Sequence, residues 1–276
     1  IFENSKLDEN GYPVPRIIGP ALDDLRRLVE DIAARDRRHL APAVERAVRR
    51  VRGMRAVAQE IEVRYADDKK VADDEIAARS GFPPHPHSDM EIITYVREGA
   101  ITHQDSLGNQ GRTEAGDVQV MSAGTGVRHS EWNAEDVTTR IFQIWIEPTR
   151  RGEKASWGAK PFPKGERAGR FVILASGFDD DADALPIRTD ARVVGATLKA
   201  DESATYPLGV SRRGYLVPAR GEVEVNGVRL NARDGAAIAQ EGAVTVKALS
   251  DAEVVLVDAG VGLALTVDSV RENIRG

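Results

Sequence analysis

Two pairs of side chains in this sequence are of the types that bind transition metals. His85 and His87 are two residues apart, and so are His129 and Glu131 further along the chain. On a β-strand, residues i and i+2 point to the same face, so each pair can direct two donor atoms at one point. Two such strands facing each other inside a barrel would supply imidazoles and a carboxylate together. This donor set suits a divalent transition metal with coordination positions left open for water, substrate or O2.

A single His-x-His pair is common by chance, and a lone histidine on a strand is usually half-buried surface. The chain has five histidines, and three of them fall in the two pairs. This concentration favours a metal site over the surface interpretation.

Composition limits the classes of function. The chain has 276 residues, with 41% hydrophobic and 30% charged residues, as is ordinary for a globular protein. Its formal net charge of −6 argues against a dedicated nucleic-acid binder. No apolar run approaches the roughly 20 residues that span a bilayer, and the first residues show no secretory signal. There is no cysteine, which excludes disulfides and thiolate ligands. We therefore expect a cytoplasmic protein without direct nucleic-acid or membrane contacts.

The first stretch, residues 1–74, has a helical pattern. Apolar side chains recur at three- and four-residue steps, which predicts an amphipathic helix. They are Leu25, Leu28, Val29 and Ile32. A second stripe follows Pro42, a residue type that often starts a helix. Its members are Val44, Val48, Val51, Ala58 and Ile61.

From residue 75 onward the pattern is that of β-structure. We expect a first β region over 75–150, a polar linker over 151–170 and a second β region over 171–276. The first contains β-branched runs separated by glycine turns. In the second, Asn226-Gly227 joins two alternating segments, the strongest short-range hairpin signal. The two regions share a rhythm of turns, which indicates a duplicated barrel whose second copy has no histidine.

Several linked motifs resemble the pirin family. Residues 81–96 are similar to its first cupin motif, and residues 121–131 to its second. The stretches 104–109 and 143–146 also match. The spacing from His129 to Asn133 agrees with the wider cupin pattern.

The resemblance implies a mainly β fold of two cupin barrels in tandem, with a metal in the first barrel. It carries the four ligand roles onto His85, His87, His129 and Glu131. Glu91 lies where many other cupins place a ligand, but on this resemblance it is a supporting group. Residues 1–74 depart from the family, whose members normally begin with aromatic-rich strands that help complete the first barrel.

Four further residues are candidates for the surroundings of the metal. His103 either lines the pocket or, as we expect, occupies a solvated strand position. Asp89, Asn133 and Gln143 either orient the ligand imidazoles or have local roles. The local roles are turn residue, strand terminator and exterior strand position, respectively, and the sequence leaves these alternatives open.

The resemblance further implies a quercetin 2,3-dioxygenase that opens the ring of flavonol-like substrates with O2. Its cofactor is expected to be one divalent metal, Fe(II) first, with Ni, Mn, Co, Cu or Zn as alternatives. Glu131 is then also a candidate base toward the substrate hydroxyl. The alternative is a pirin-like regulatory protein whose metal redox state controls binding to a transcription-related protein partner. A third option is a cupin that binds no metal.

Overall fold

Strands make up the regular structure of this protein. The computed structural model describes residues 61–64, 72–261 and 265–266, and these form strands and turns but no helix. Among them, accordingly, no helix is long and apolar enough to cross a bilayer. The chain divides into two units, residues 1–63 and 64–276. Strand β1 (Ile61–Arg64) lies at their boundary, and every other described strand belongs to the second unit.

The first barrel is built from two sheets. The strands of one sheet, in spatial order, are β10 (Ser156–Lys160), β7 (Val118–Ser122), β4 (Glu91–Glu98), β9 (Thr139–Ile146) and β2 (Ala72–Ile76), and β21 (Leu265–Thr266) also pairs with β9. Those of the other are β3 (Ser80–His87), β8 (Val127–Asn133), β5 (Ala100–Asp105) and β6 (Gln110–Glu114). The strands within both sheets pair antiparallel.

The second barrel repeats this plan. One sheet runs in the order β18 (Gly235–Ala239), β15 (Arg212–Arg220), β20 (Ala252–Gly260), β13 (Ala191–Leu198), β11 (Val172–Ser176) and β12 (Leu185–Pro186). The other runs β14 (Ser203–Tyr206), β19 (Val244–Ala248), β16 (Val223–Val225) and β17 (Val228–Leu230).

The two barrels share one hydrophobic core. Tyr95 and Phe142 of the first barrel belong to the same buried cluster as Tyr215 and Val257 of the second. Strands β4, β9 and β20 are therefore buried on both faces, one toward their own barrel interior and one toward the other barrel. This explains why their sequences are nearly continuous apolar runs rather than alternating ones.

Several expectations from the sequence are confirmed. The fold is mainly β with two cupin barrels, and the Asn226-Gly227 hairpin joins β16 to β17. Both turn residues have positive φ, 45° and 85°, as the type I′ turn requires.

The structure differs from the sequence interpretation in two stretches. Residues 61–64 and 72–74, inside the segment with the helical pattern, form strands, since Ile61 to Arg64 alternate apolar and charged residues with a period of two. The remainder of the helical prediction lies outside the described residues. The linker predicted over 151–170 contains β10, which pairs with β7 and so extends the first barrel.

Candidate metal centre

Pairing of β3 with β8 brings three histidines together. His85 is the direct cross-strand partner of His129, and His87 is opposite Val127. The Nε2 atoms of His85 and His129 are 3.1 Å apart. One ring nitrogen from each of His85, His87 and His129 lies within 4.8 Å of the other two. Such a cluster can hold a metal ion.

Local sequence explains why these side chains converge. Along β8 buried and more accessible residues alternate, so that His129, Glu131 and Asn133 all face the barrel interior. On β3, the pairing register with β8 shifts between Phe82 and His85. From His85 onward the two histidines alternate with an exposed proline, Pro86. The period-two pattern of both strands therefore directs the imidazoles to one side.

A shallow surface cavity of about 450 Å³ borders the cluster at His87. His87 contributes to its wall, whereas His129 is only 3% exposed. The remaining lining residues are Pro86, Ser88, Ser106, Gly126, Val127 and Arg128. A small molecule in this cavity would therefore contact His87, whereas His85 and His129 do not line it.

Two of the three histidines, His87 and His129, are held in the neutral form that metal binding requires. Burial, together with the neighbouring His85, lowers the pKa of His87 to about 4. Burial and repulsion from the other histidines lower the pKa of His129 to about 2. His85 Nδ1 donates to the Pro83 carbonyl at 2.8 Å, which leaves its Nε2 lone pair facing His129. Nitrogen lone pairs converging at this spacing fit a divalent transition metal.

Glu131 is placed differently from the histidines. Its side chain is completely buried, and its Oε1 accepts hydrogen bonds from Gln119 at 2.5 Å and Thr94 at 3.3 Å. Its Oε2 accepts one from Gln143. Burial raises the pKa of Glu131 to about 7. The carboxylate does not belong to the group formed by the three histidines, and it is instead tied to polar side chains inside the barrel.

His103 is fully buried, in contrast to the solvated position that we expected. Its Nε2 lies 3.2 Å from Asp105 Oδ2 and donates to it. Its ring stacks on Trp157, with centroids 4.8 Å apart and 7° between the planes, and lies 5.3 Å from the ring of His129. Burial lowers the pKa of His103, and the Asp105 carboxylate opposes that shift. The reason for the difference is that Trp157, from the stretch taken as linker, covers this face of β5.

The other predicted residues separate into interior and local roles. Gln143 is an interior residue that contacts Glu131 and accepts a hydrogen bond from Trp145 Nε1 at 3.2 Å, so it is not at an exterior strand position. Asn133 donates to the carbonyls of Ile76, Ala77 and Val137, as a strand terminator would.

Asp89 and Glu91 lie away from the three-histidine group. Asp89 has a φ of 46° and accepts a hydrogen bond from the Gly152 amide, which is the geometry of a turn residue. Glu91 is buried and accepts a hydrogen bond from Ser122 at 2.6 Å.

The sequence interpretation missed Thr94, Gln119 and Asp105. Thr94 and Gln119 are polar residues inside otherwise apolar strands, which was the available signal that they face something polar. Asp105 holds His103 and also accepts hydrogen bonds from the Leu107 and Asn109 amides. Its i, i+2 spacing from His103 on β5 was the available signal for the first of these contacts.

Comparison with known proteins agrees with this architecture. Residues 43–146 match the family model described as Pirin, and residues 173–259 match that of the quercetinase C-terminal cupin domain. A pirin-like protein of Caulobacter vibrioides is 75% identical over 187 residues, which cover 68% of this chain and 81% of that protein. The chain belongs to the pirin family. Its pirin match begins at residue 43, within the segment that we expected to depart from the family.

Two further pirin relatives bear on the site. Quercetin 2,3-dioxygenase of Escherichia coli is 39% identical over 189 residues, covering 68% of this chain and 80% of that protein. The crystal structure of the bacterial pirin YhhW from E. coli in complex with nickel(II) has a TM-score of 0.63 and 31% identity. The match covers 72% of this chain and 99% of that one.

Proposed function

We propose that this pirin is a metal-dependent dioxygenase that opens the ring of quercetin-like flavonols with O2. The observation that carries the proposal is the convergence of three imidazoles at the edge of a surface cavity. The cavity volume of about 450 Å³ falls in the range typical of small-molecule sites. The E. coli relative that bears the name quercetin 2,3-dioxygenase supports the choice of substrate.

His85, His87 and His129 are proposed as metal ligands. Glu131 is the fourth ligand that the family resemblance implies, and to join them its carboxylate would have to exchange hydrogen bonds with its polar neighbours for the metal. Fe(II) is the proposed metal, and the nickel complex of the E. coli pirin supports a site that also accepts other divalent ions. When bound, such a metal supplies Lewis acidity and a template for the flavonol and O2.

The protein side chains then have two tasks. The histidines hold the metal beside the cavity, and the proline carbonyl that fixes His85 keeps its ring in one tautomer. Glu131 is proposed to receive the proton of the substrate hydroxyl. Its burial among polar side chains favours the protonated carboxyl group when no metal is bound, which suits a group that receives a proton inside the barrel.

Oxygen uptake with quercetin tests the proposal. Protein reconstituted with Fe(II) to about one metal per chain should consume O2 in a quercetin-dependent manner, and His129→Ala should abolish both metal retention and uptake. Ser130→Ala is the matched control, because its side chain lies on the other face of β8 and should leave both unchanged. Absence of uptake in wild-type protein at full metal occupancy would contradict the proposal.

A further inference from the structure

A second cleft lies beside the turn over residues 105–109. Ser106 of the same turn lines the cavity that borders the three histidines, which we call the metal cavity. The second cleft has a volume of about 500 Å³ and shares no lining residue with the metal cavity. We call it the cationic cleft; its lining residues are Leu107, Asn109, Lys154, Ala155, Ser156, Trp157 and Arg188.

The charge of this cleft has one sign. Lys154 and Arg188 contribute positive charge, and no carboxylate is part of the lining, although the buried Glu91 carboxyl interacts electrostatically with Arg188 from behind it. Among the described residues neither cation forms an ion pair within 4.0 Å, and Arg188 Nη2 donates only to the Ser156 hydroxyl, at 3.3 Å. The lining of this cleft is therefore locally positive in a chain whose net charge is −6, which favours an anionic ligand.

The walls of the cleft are fixed in place. Asp105 holds the adjoining turn by accepting hydrogen bonds from the amides of Leu107 and Asn109, both at 2.9 Å. Trp157 is held by stacking on His103, and its ring also lies against Gly111, where a Cβ atom would approach Cη2 to 2.3 Å. A preformed site of this kind binds without a large ordering cost.

The lining combines these charges with flat apolar surface. The indole of Trp157 and the side chain of Leu107, which is 49% exposed, supply the apolar part. Asn109 and Ser156 add hydrogen-bonding groups. The complementary ligand is a planar molecule with one apolar face and an anionic end.

We propose that the cationic cleft binds a small aromatic carboxylate, whose charge pairs with Lys154 and Arg188 and whose ring packs on Trp157. This site is separate from the metal centre and does not depend on the dioxygenase proposal. It lies close to that centre, because the stacked ring of His103 is 5.3 Å from that of His129.

The test is a ¹⁹F NMR titration of the full chain with 4-fluorobenzoate near neutral pH. We expect a saturable chemical-shift change with a Kd of about 1 mM or tighter. Lys154→Met should weaken binding by about fivefold or more, as expected for loss of one ion pair, while Lys154→Arg should restore it. The neutral analogue 4-fluorobenzamide should bind the wild-type protein no more tightly than 4-fluorobenzoate binds the Lys154→Met variant.

Two controls separate this cleft from the metal cavity. Arg128 lines only the metal cavity, so Arg128→Met should leave the titration unchanged. Treatment with EDTA should also leave it unchanged, because the proposed carboxylate does not coordinate a metal. Arg188→Met should weaken binding as Lys154→Met does, with thermal unfolding used to check its fold.

Three outcomes would overturn the proposal. The first is a chemical shift that rises linearly, without saturation, up to about 20 mM 4-fluorobenzoate. The second is equal affinity of Lys154→Met and wild type for 4-fluorobenzoate. The third is loss of the chemical-shift change after EDTA treatment or in Arg128→Met. The last would place the carboxylate at the metal centre. Because no flavonol turnover is measured, failure here leaves the dioxygenase proposal standing, and failure of that proposal leaves this one standing.

Discussion

Gln143 donates a hydrogen bond to Glu131 across the interior of the first barrel, from one sheet to the other. Thr94 and Gln119 reach the same carboxylate from the sheet that carries Gln143. That sheet also packs against the second barrel through residues such as Phe142. The position of Glu131 is therefore set by the scaffold that joins the two barrels and not by its own strand alone.

Replacing Glu131 by Gln tests its proposed role as a base. The amide cannot accept the substrate proton, so turnover should fall below about 1% of wild type while the three histidines still retain metal. Its NH2 group would also face an amide donor of Gln119 or Gln143, which should cost about 1 to 3 kcal/mol of unfolding free energy. Metal content, oxygen uptake and urea unfolding measure these effects. Undiminished turnover at equal metal content would remove Glu131 from the chemistry.

Two histidine variants separate metal ligation from support. His85→Gln removes a member of the three-histidine group, and bound metal should fall at least about tenfold. His103→Gln removes a neighbouring ring outside that group, and metal should remain near wild-type content. Elemental analysis after exhaustive dialysis measures the metal content of both variants. Equal loss in the two would assign His103 a ligand role that its position here does not indicate.

Local pattern was sufficient to identify the three histidines that converge in the candidate metal site, whereas the fourth predicted ligand, Glu131, does not belong to that group. Both pairs, His85 with His87 and His129 with Glu131, have the period of two that a strand requires, and β8 shows that period in its burial along its whole length. The Asn226-Gly227 hairpin was equally local, because its turn type depends on two residues with positive φ.

Contacts that depend on strand order could not be obtained in this way. Thr94, Gln119 and Gln143 meet Glu131 only because β4, β7 and β9 lie in the sheet opposite β8. The burial of His103 likewise depends on Trp157, 54 positions away in a stretch whose polar composition indicated a linker. Side-chain alternation gives the face of a residue but not what covers that face.

The packing of Trp157 on Gly111 can be tested by a double-mutant cycle. In Gly111→Ala the new Cβ would lie 2.3 Å from Cη2 of Trp157, and the ring cannot move away without losing its stack on His103. We expect a loss of about 1 to 3 kcal/mol of unfolding free energy. In a Trp157→Leu background the same substitution should cost less by about 1 kcal/mol or more. Additive effects in urea unfolding would show that the two residues do not clash.

Glu253 should make the stability of the protein depend on pH. Its side chain is 7% exposed, Oε1 has no hydrogen-bond partner among the described residues, and burial raises its pKa from 4.5 to about 7. Lys164 lies 2.7 Å from Oε2 and offsets part of the cost of ionisation, but its own side chain is half exposed.

A carboxyl group whose pKa is raised by folding binds its proton more tightly in the folded state. The contribution of Glu253 is therefore most favourable below about pH 4.5 and declines as the pH rises to about 7. The shift corresponds to at most about 3 kcal/mol, and the ion pair with Lys164 should reduce this to about 1 to 2 kcal/mol.

Glu253→Gln removes this titration and keeps the size of the side chain. Urea unfolding of wild type and variant at about pH 5 and pH 8 measures the effect as a difference of differences, so that titration of other groups cancels. The variant should gain stability relative to wild type as the pH is raised. Parallel pH profiles would mean that Lys164 compensates the buried charge completely, and a relative gain for wild type would reverse the sign assigned to Glu253.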